Sequence, residues 1–245
     1  MGTATTRHSS VVIVLIAALA TSSFVGRATA GSFANLDFED SPIDSSTPVP
    51  IGPPQPIDTA LLFPSWTLWI GSTIQTTGYL NTYYLAGPQA ALMASEKPAD
   101  GVIAGTKSVY MSGWLNGLST SLAQTGDVPG GTKSVRFVAR NYAYRSLPVP
   151  PSPLFLRMNG QDLPLVILSS TGTGDFVFGA DTSAWAGTSA ELRFGVGSPT
   201  SGSDTLFGNF DSFVFSTEPI PEPGAALFIW CGSVILLPRR RILKV

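Results

Sequence analysis

Short runs of aromatic and β-branched residues recur about every ten positions along this chain, separated by clusters of Gly, Pro, Ser and Thr. That rhythm belongs to short strands joined by turns. It predicts strands at Asn35–Phe38, Ser65–Ile70, Leu80–Leu85, Ser108–Trp114, Thr120–Gln124, Ser134–Asn141, Leu154–Met158, Gln161–Ile167, Phe176–Phe178, Ala190–Val196 and Asn209–Ser216. Within Met158-Asn159-Gly160-Gln161, Asn-Gly accepts the positive φ angles of a two-residue hairpin turn, so the strands on either side should pair. In Phe210-Asp211-Ser212-Phe213-Val214-Phe215 the apolar groups are expected inward at every second position. The one helical element expected is a turn over Asp181–Ala186, capped by Asp181 or Thr182. No heptad, repeat or long amphipathic helix is present. Pro42–Pro56 reads as an extended exposed loop and Pro148–Pro153 as a rigid connector. Neither half would close a sandwich alone, so residues 31–217 are expected to form one all-β domain, an antiparallel β-sandwich.

The two ends follow a different pattern. Arg7 and His8 precede the unbroken apolar run Val11–Ala20, and Ala28-Thr29-Ala30 offers small residues for cleavage, so residues 1–30 read as a signal peptide and Gly31 as the mature start. At the other end, Pro221-Glu222-Pro223 leads into Gly224–Leu237 and then the basic cluster Arg239, Arg240 and Arg241. Apolar residues cover every face of a helix through 224–237, which suits a membrane and not a soluble core. Its 14 residues would span roughly 21 Å against about 30 Å of hydrocarbon, a marginal anchor. This tail, residues 218–245, resembles the PEP-CTERM sorting signal of Gram-negative bacteria. The resemblance implies the export machinery and an exosortase-type transpeptidase as partners, a transient inner-membrane intermediate, and delivery to the cell surface or extracellular matrix.

Removing these ends changes the chemistry that remains. The only cysteine, Cys231, lies in the tail, so the domain between has no intramolecular disulfide. The only histidine, His8, lies in the leader, which excludes Ser-His-Asp and Cys-His catalysis and His-ligated zinc. No Gly-rich phosphate loop is present. Without Arg7, Arg27, Arg239, Arg240, Arg241 and Lys244, and without Glu218 and Glu222 of the tail, eight basic residues face 14 acidic ones, a net of about −6. Such a surface repels phosphate backbones, so nucleic acid is not an expected partner.

Asn35-Leu36-Asp37-Phe38-Glu39 at the start of the domain and Phe210–Ser216 at its end are similar to the first and last strands of galactose-binding-like jelly rolls and related carbohydrate-binding modules. Gln124–Thr132 and Ala180–Gly187 also resemble stretches of other PEP-CTERM proteins. The jelly-roll resemblance implies a structural Ca²⁺ tying the first strand to the last, and the matching positions are Glu39 and Asp211. It also implies polysaccharide binding through aromatic platforms. Trp66, Trp69, Tyr79, Tyr83, Tyr84, Trp114, Tyr142, Tyr144 and Trp185 are the available rings. Tyr83 and Tyr84 are favoured because adjacent residues must point one ring outward. Tyr142 and Tyr144 share a strand face, with Arg140 and Arg145 near enough to bond hydroxyls. Three readings stay open: a non-catalytic surface or matrix protein that binds polysaccharide, a passive matrix component, and a glycoside-acting enzyme. The last needs only a carboxylate pair, for which Glu39, Glu96 and Glu191 are candidates.

Overall fold

In the computed structural model, two sheets close on one apolar core. It describes residues 31–44, 46, 55–83, 85, 87–94, 101–114, 117–143 (backbone alone for 141–143), 154–170, 174–198 and 205–221. In chain order the strands are β1 (Ile57–Asp58), β2 (Thr67–Ile70), β3 (Thr73–Gln75), β4 (Thr77–Leu80), β5 (Gln89–Ala94), β6 (Lys107–Gly113), β7 (Thr120–Asp127), β8 (Ser134–Ala143), β9 (Leu154–Met158), β10 (Gln161–Asp162), β11 (Val166–Ser170), β12 (Phe176–Asp181), β13 (Ser189–Val196) and β14 (Leu206–Ser216). One sheet runs β1-β4-β5-β6-β14-β8-β12-β11 and the other β10-β9-β13-β7-β2-β3. From β6 onward, apart from the hairpins β9–β10 and β11–β12, each strand crosses to the opposite sheet, which is the winding of a jelly roll. Pairing is antiparallel except for β4 beside β5.

Alternation explains the core. Leu68, Leu122, Leu156, Leu192 and Phe194 face inward from the six-stranded sheet, and Val109, Met111, Val135, Phe137 and Phe210 from the eight-stranded one; all are essentially buried. Each contributes on the order of 2 kcal/mol through the apolar area it removes from water.

The closing strand breaks the expected alternation. Asp211 pairs with Val138 and Val214 with Arg136, so Ser212 and Phe213 together oppose Phe137. This is a β-bulge, with Ser212 at φ 53°. It turns Phe213 into the same core as Phe210, three positions earlier. The Phe213 ring stacks on Phe137 at 4.8 Å and meets Phe194 at 4.5 Å. The Phe213 N–H, turned out of the ladder, donates to Leu36 O at 2.9 Å.

Asn35–Phe38, expected as a strand, is a turn. Asn35 and Phe38 have φ of 50° and 60°. The Asn35 side chain accepts from Asp40 N at 3.0 Å and donates to Pro64 O at 3.0 Å, a local bonding pattern that competes with a sheet ladder. Trp66 Nε1 donates to Asn35 O, and Phe38 is fully buried beside the Trp66 ring.

Two further expectations are redrawn, and one strand appears where none was expected. β4 stops at Leu80 because Asn81 adopts φ 47° and its side chain accepts from Ala94 N, so Leu80–Leu85 is not a strand. Gln161–Ile167 splits at Pro164, which has no N–H for a ladder: β10 stays with the hairpin and β11 joins the other sheet. β5, rich in helix-forming Ala, Leu and Met, is a strand because it is buried on both faces; burial decides against local propensity. The Asn159-Gly160 hairpin forms as expected, with Gln161 opposite Met158 and both turn residues at positive φ. A 3-10 turn occupies Ser183–Trp185. Asp181 accepts from Ser183 N there, and that bond holds its carboxyl below the usual range. One short helix, α1 (Thr59–Leu62), is capped by Asp58, which accepts from Ala60 N at 2.8 Å.

The bulge supplies a direct test. Phe213→Ala should lower unfolding free energy by about 3–5 kcal/mol in denaturant titrations, because it empties a stacked core position. Val214→Ala, one residue on and 56% exposed, should change it by less than about 0.5 kcal/mol.

Candidate functional site

The outward faces of the two sheets differ in cover. On the eight-stranded sheet, Tyr110, Phe207, Ala91 and Met93 form a second small core with Leu85 and Val102 from the overlying loops. Asn209 Nδ2 donates to Gly101 O at 2.7 Å, and Ile103 N donates to Ser108 Oγ, which donates in turn to Asp211 Oδ2 at 2.6 Å. The segment 101–106 is thereby fastened over this face. Beneath it Asp211 is 1% exposed, and burial pushes its carboxyl up to about 7 against the downward pull of bonds from Ser108 and Ser212.

The outward face of the six-stranded sheet carries polar and aromatic side chains in register. Ile74, Trp69 and Ser121 stand side by side on β3, β2 and β7. In the adjacent row Thr67, Ala123, Arg193, Arg157 and Asp162 follow one another across β2, β7, β13, β9 and β10. Thr125 stands opposite Glu191 in a third row. Trp69 projects outward because Leu68, its neighbour, is in the core.

Arg193 ties these rows together. Its guanidinium lies 4.5 Å from the centroid of the Trp69 ring, and it meets Glu191 through two contacts, Nε to Oε1 at 3.0 Å and Nη2 to Oε2 at 3.3 Å. The stack and the fork together fix a long side chain that would otherwise be free to move. Arg157 repeats the arrangement over Phe155 at 4.6 Å while pairing with Asp162 at 2.6 Å. Beside Trp69 a groove of about 170 Å³ is walled by Ser65, Thr67, Thr125 and Glu191 over Ala123. That is well below the roughly 300–1,000 Å³ of a drug-sized pocket. Among the described residues Trp69 Nε1 is buried and finds no acceptor, a donor whose burial costs about 1–3 kcal/mol.

Of the residues favoured from sequence, Tyr83 and Arg140 are described with their side chains, and both stand away from this groove. Tyr83 is 41% exposed, but its ring packs edge-on against Tyr110, 5.1 Å away, over the eight-stranded sheet. Arg140 is held by the buried Asp175 in a two-point ion pair, with Nε to Oδ1 at 2.6 Å and Nη2 to Oδ2 at 3.1 Å. Tyr84, Tyr144, Arg145, Glu96 and the Tyr142 side chain lie outside the described residues. So do the signal peptide and the tail from Glu222 through Arg239, Arg240 and Arg241; Pro221 is the last described residue. Among the described residues no helix is long and apolar enough to cross a membrane.

Among the described residues the two candidate glutamates stand apart. Glu39 sits against the start of β6, accepting from Thr106 N at 2.7 Å and Lys107 N at 3.0 Å, whereas Glu191 lies on the six-stranded sheet and is held by Arg193. Asp211, the carboxyl raised toward neutrality, is sealed beneath segment 101–106. Among the described residues no three His, Cys, Asp or Glu side chains cluster as a metal would require.

A scan against protein-family models finds no match, and a search of curated proteins finds none. Among solved structures the chain is similar to that described as "Structure of TmCBM61 in complex with beta-1,4-galactotriose", at 13% identity and a TM-score of 0.37, covering 78% of this chain and 100% of that one. A likeness at this level says nothing of what this chain binds.

Asp211 makes stability depend on pH in a definite direction. Between 3.8 and about 7 the folded protein holds one more proton there than the unfolded chain. Stability therefore falls as pH rises through that window, by of order 1 kcal/mol per unit, and the penalty is complete above it. Asp211→Asn keeps the shape without the charge. Thermal melts from pH 4 to 8 should show its melting temperature gaining on wild type steadily with pH; a constant difference would contradict the assignment.

Proposed function

We propose that this protein is an exported, non-catalytic sugar-binding module, displayed at the cell surface or in the extracellular matrix. The observation that carries the reading is the Trp69–Arg193–Glu191 set on the open face of the six-stranded sheet. An aromatic ring offers an apolar surface to the C–H face of a sugar. Arg193 supplies N–H donors already oriented by Glu191, so little rotamer entropy remains to be lost on binding. Thr67, Thr125 and Glu191 supply the acceptors and hydroxyls that a polyhydroxylated ring needs. All of these stand on strands, and the neutral balance of Arg193 with Glu191 favours an uncharged ligand over an anionic one.

Export and sorting rest on the two ends of the sequence, through the signal peptide and the Pro221-Glu222-Pro223 tail handled by an exosortase-type enzyme. In the domain the two ends come close together. Gly31 O accepts from Asp127 N at the end of β7, and Glu218 pairs with Arg136 near the start of β8. Phe33 and Phe215 also pack together at 5.0 Å. The mature start and the root of the tail therefore lie at one end of the sandwich.

Two measurements test the reading. Affinity electrophoresis against a panel of neutral polysaccharides should show retention that weakens at least about tenfold, the equivalent of about 1.4 kcal/mol, in Trp69→Ala and in Arg193→Ala. Retention by no polysaccharide, or retention untouched by both substitutions, would sink the binding site. Intact mass of the secreted protein should place the start at Gly31 and the end near Pro221–Pro223.

A further inference from the structure

We infer that the junction between the opening turn and the closing strand carries its own cation, the ammonium of Lys107, in the place where the jelly-roll resemblance calls for calcium. Lys107 begins β6 and is 8% exposed, unusual for a lysine. Its Nζ donates to Glu39 O at 2.8 Å and to Ser41 O at 2.7 Å. Both acceptors are backbone carbonyls of the opening turn, hard oxygen ligands of the kind that Ca²⁺ takes. They converge on a nitrogen instead.

The two carboxylates expected to complete a calcium shell are directed elsewhere. Glu39 Oε1 accepts from the N–H groups of Thr106 and Lys107, and Glu39 Oε2 from the Thr106 hydroxyl. Gly105 lies against this carboxylate at φ +58°, and a β-carbon at that position would collide with Oε1. Consecutive backbone N–H groups following a positive-φ residue form a concavity suited to an anion, and here the anion is the protein's own. Asp211 Oδ1 accepts from Ser212 N at 2.6 Å and Ser212 Oγ at 3.2 Å, and Oδ2 from Ser108 Oγ at 2.6 Å. Calcium needs six to eight oxygens, and backbone N–H donors cannot rotate away to release them. A dication brought here would also meet the lysine charge. The residues therefore do not fit calcium, and they do fit an ammonium.

The staple ties segments distant in sequence. Lys107 reaches back to residues 39 and 41, Glu39 reaches forward to 106 and 107, and Ser108 continues to Asp211 on β14. One short stretch of β6 thus joins the opening turn to the closing strand, which is the task calcium would perform.

Three readouts on the full-length protein test this, independently of sugar binding. Thermal melts in millimolar calcium and in chelator should coincide; a melt raised by calcium would overturn the inference. Lys107→Met should melt about 5–10 °C lower, since two buried carbonyls lose a charged donor; a melt equal to wild type would equally overturn it. Should that variant fail to fold, native-state reductive methylation read by mass spectrometry decides: Lys107 should resist modification while the exposed Lys133 reacts. Equal reactivity of the two would refute the staple.

Discussion

The packing of this domain depends on one irregularity, the bulge that seats both Phe210 and Phe213 in the core. A regular strand of this length would present Phe210, Ser212 and Val214 inward, placing a hydroxyl where the Phe213 ring now stacks on Phe137 and meets Phe194. The extra residue returns Phe213 to the core and frees its N–H from the ladder. That N–H reaches Leu36 O, so the event that fills the core also binds the beginning of the domain to its end. β14 lies between β6 and β8, but its ladder with β6 ends at Phe210, so at the bulge it pairs with β8 alone and its other side meets the opening turn.

The same geometry explains why the two outward faces have different characters. Opposite Phe210 and Phe213, β14 must turn Asn209 and Asp211 away from the core. Leaving them covered requires partners, which Gly101, Ser108 and Ser212 provide. The covering segment converts this face into a second interior, at the cost of a buried carboxyl. The six-stranded sheet has no such obligation, since its outward positions on β7 and β13 are small or paired: Ser121, Ala123 and Gly195, with Arg193 and Glu191 bonded to each other. Among the described residues its side chains are held by one another.

Much of the architecture was legible because strands written with Phe, Val, Ile and Tyr between glycine and proline punctuation declare themselves. The all-β class, the Asn159-Gly160 hairpin, the 3-10 turn after Asp181 and most strand positions follow from that grammar. The failures share a cause: side chains that bond to the backbone or carry none of the usual strand character. Asn35 and Asn81 end extended runs through their own amides, and Pro164 sends its two flanks to different sheets. Gln89–Ala94 looks like helix and is made a strand by burial on both faces. The bulge at Ser212 has a trace in the sequence, a three-residue spacing between Phe210 and Phe213, but Phe215 restores an apparent period of two and hides it.

The candidate site was legible only in part, for a reason that bears on how such faces arise. Adjacent tyrosines predict a surface ring, and yet Tyr83 lies against Tyr110 and serves as cover. Trp69 stood among the available rings with nothing to separate it from Trp66, three residues earlier, which is buried. What distinguishes them is parity with Leu68: Trp69 must face out once Leu68 faces in, whereas Trp66 precedes the strand and follows the turn at Pro64 into the core. Glu191 and Arg193 carry a visible signal, since two opposite charges two residues apart in a strand share one face. Only the register across β2, β7 and β13 brings that pair to the tryptophan. On this face the cation and the carboxylate hold each other and the cation lies over the ring, so their placement follows from the strand register and their mutual contacts.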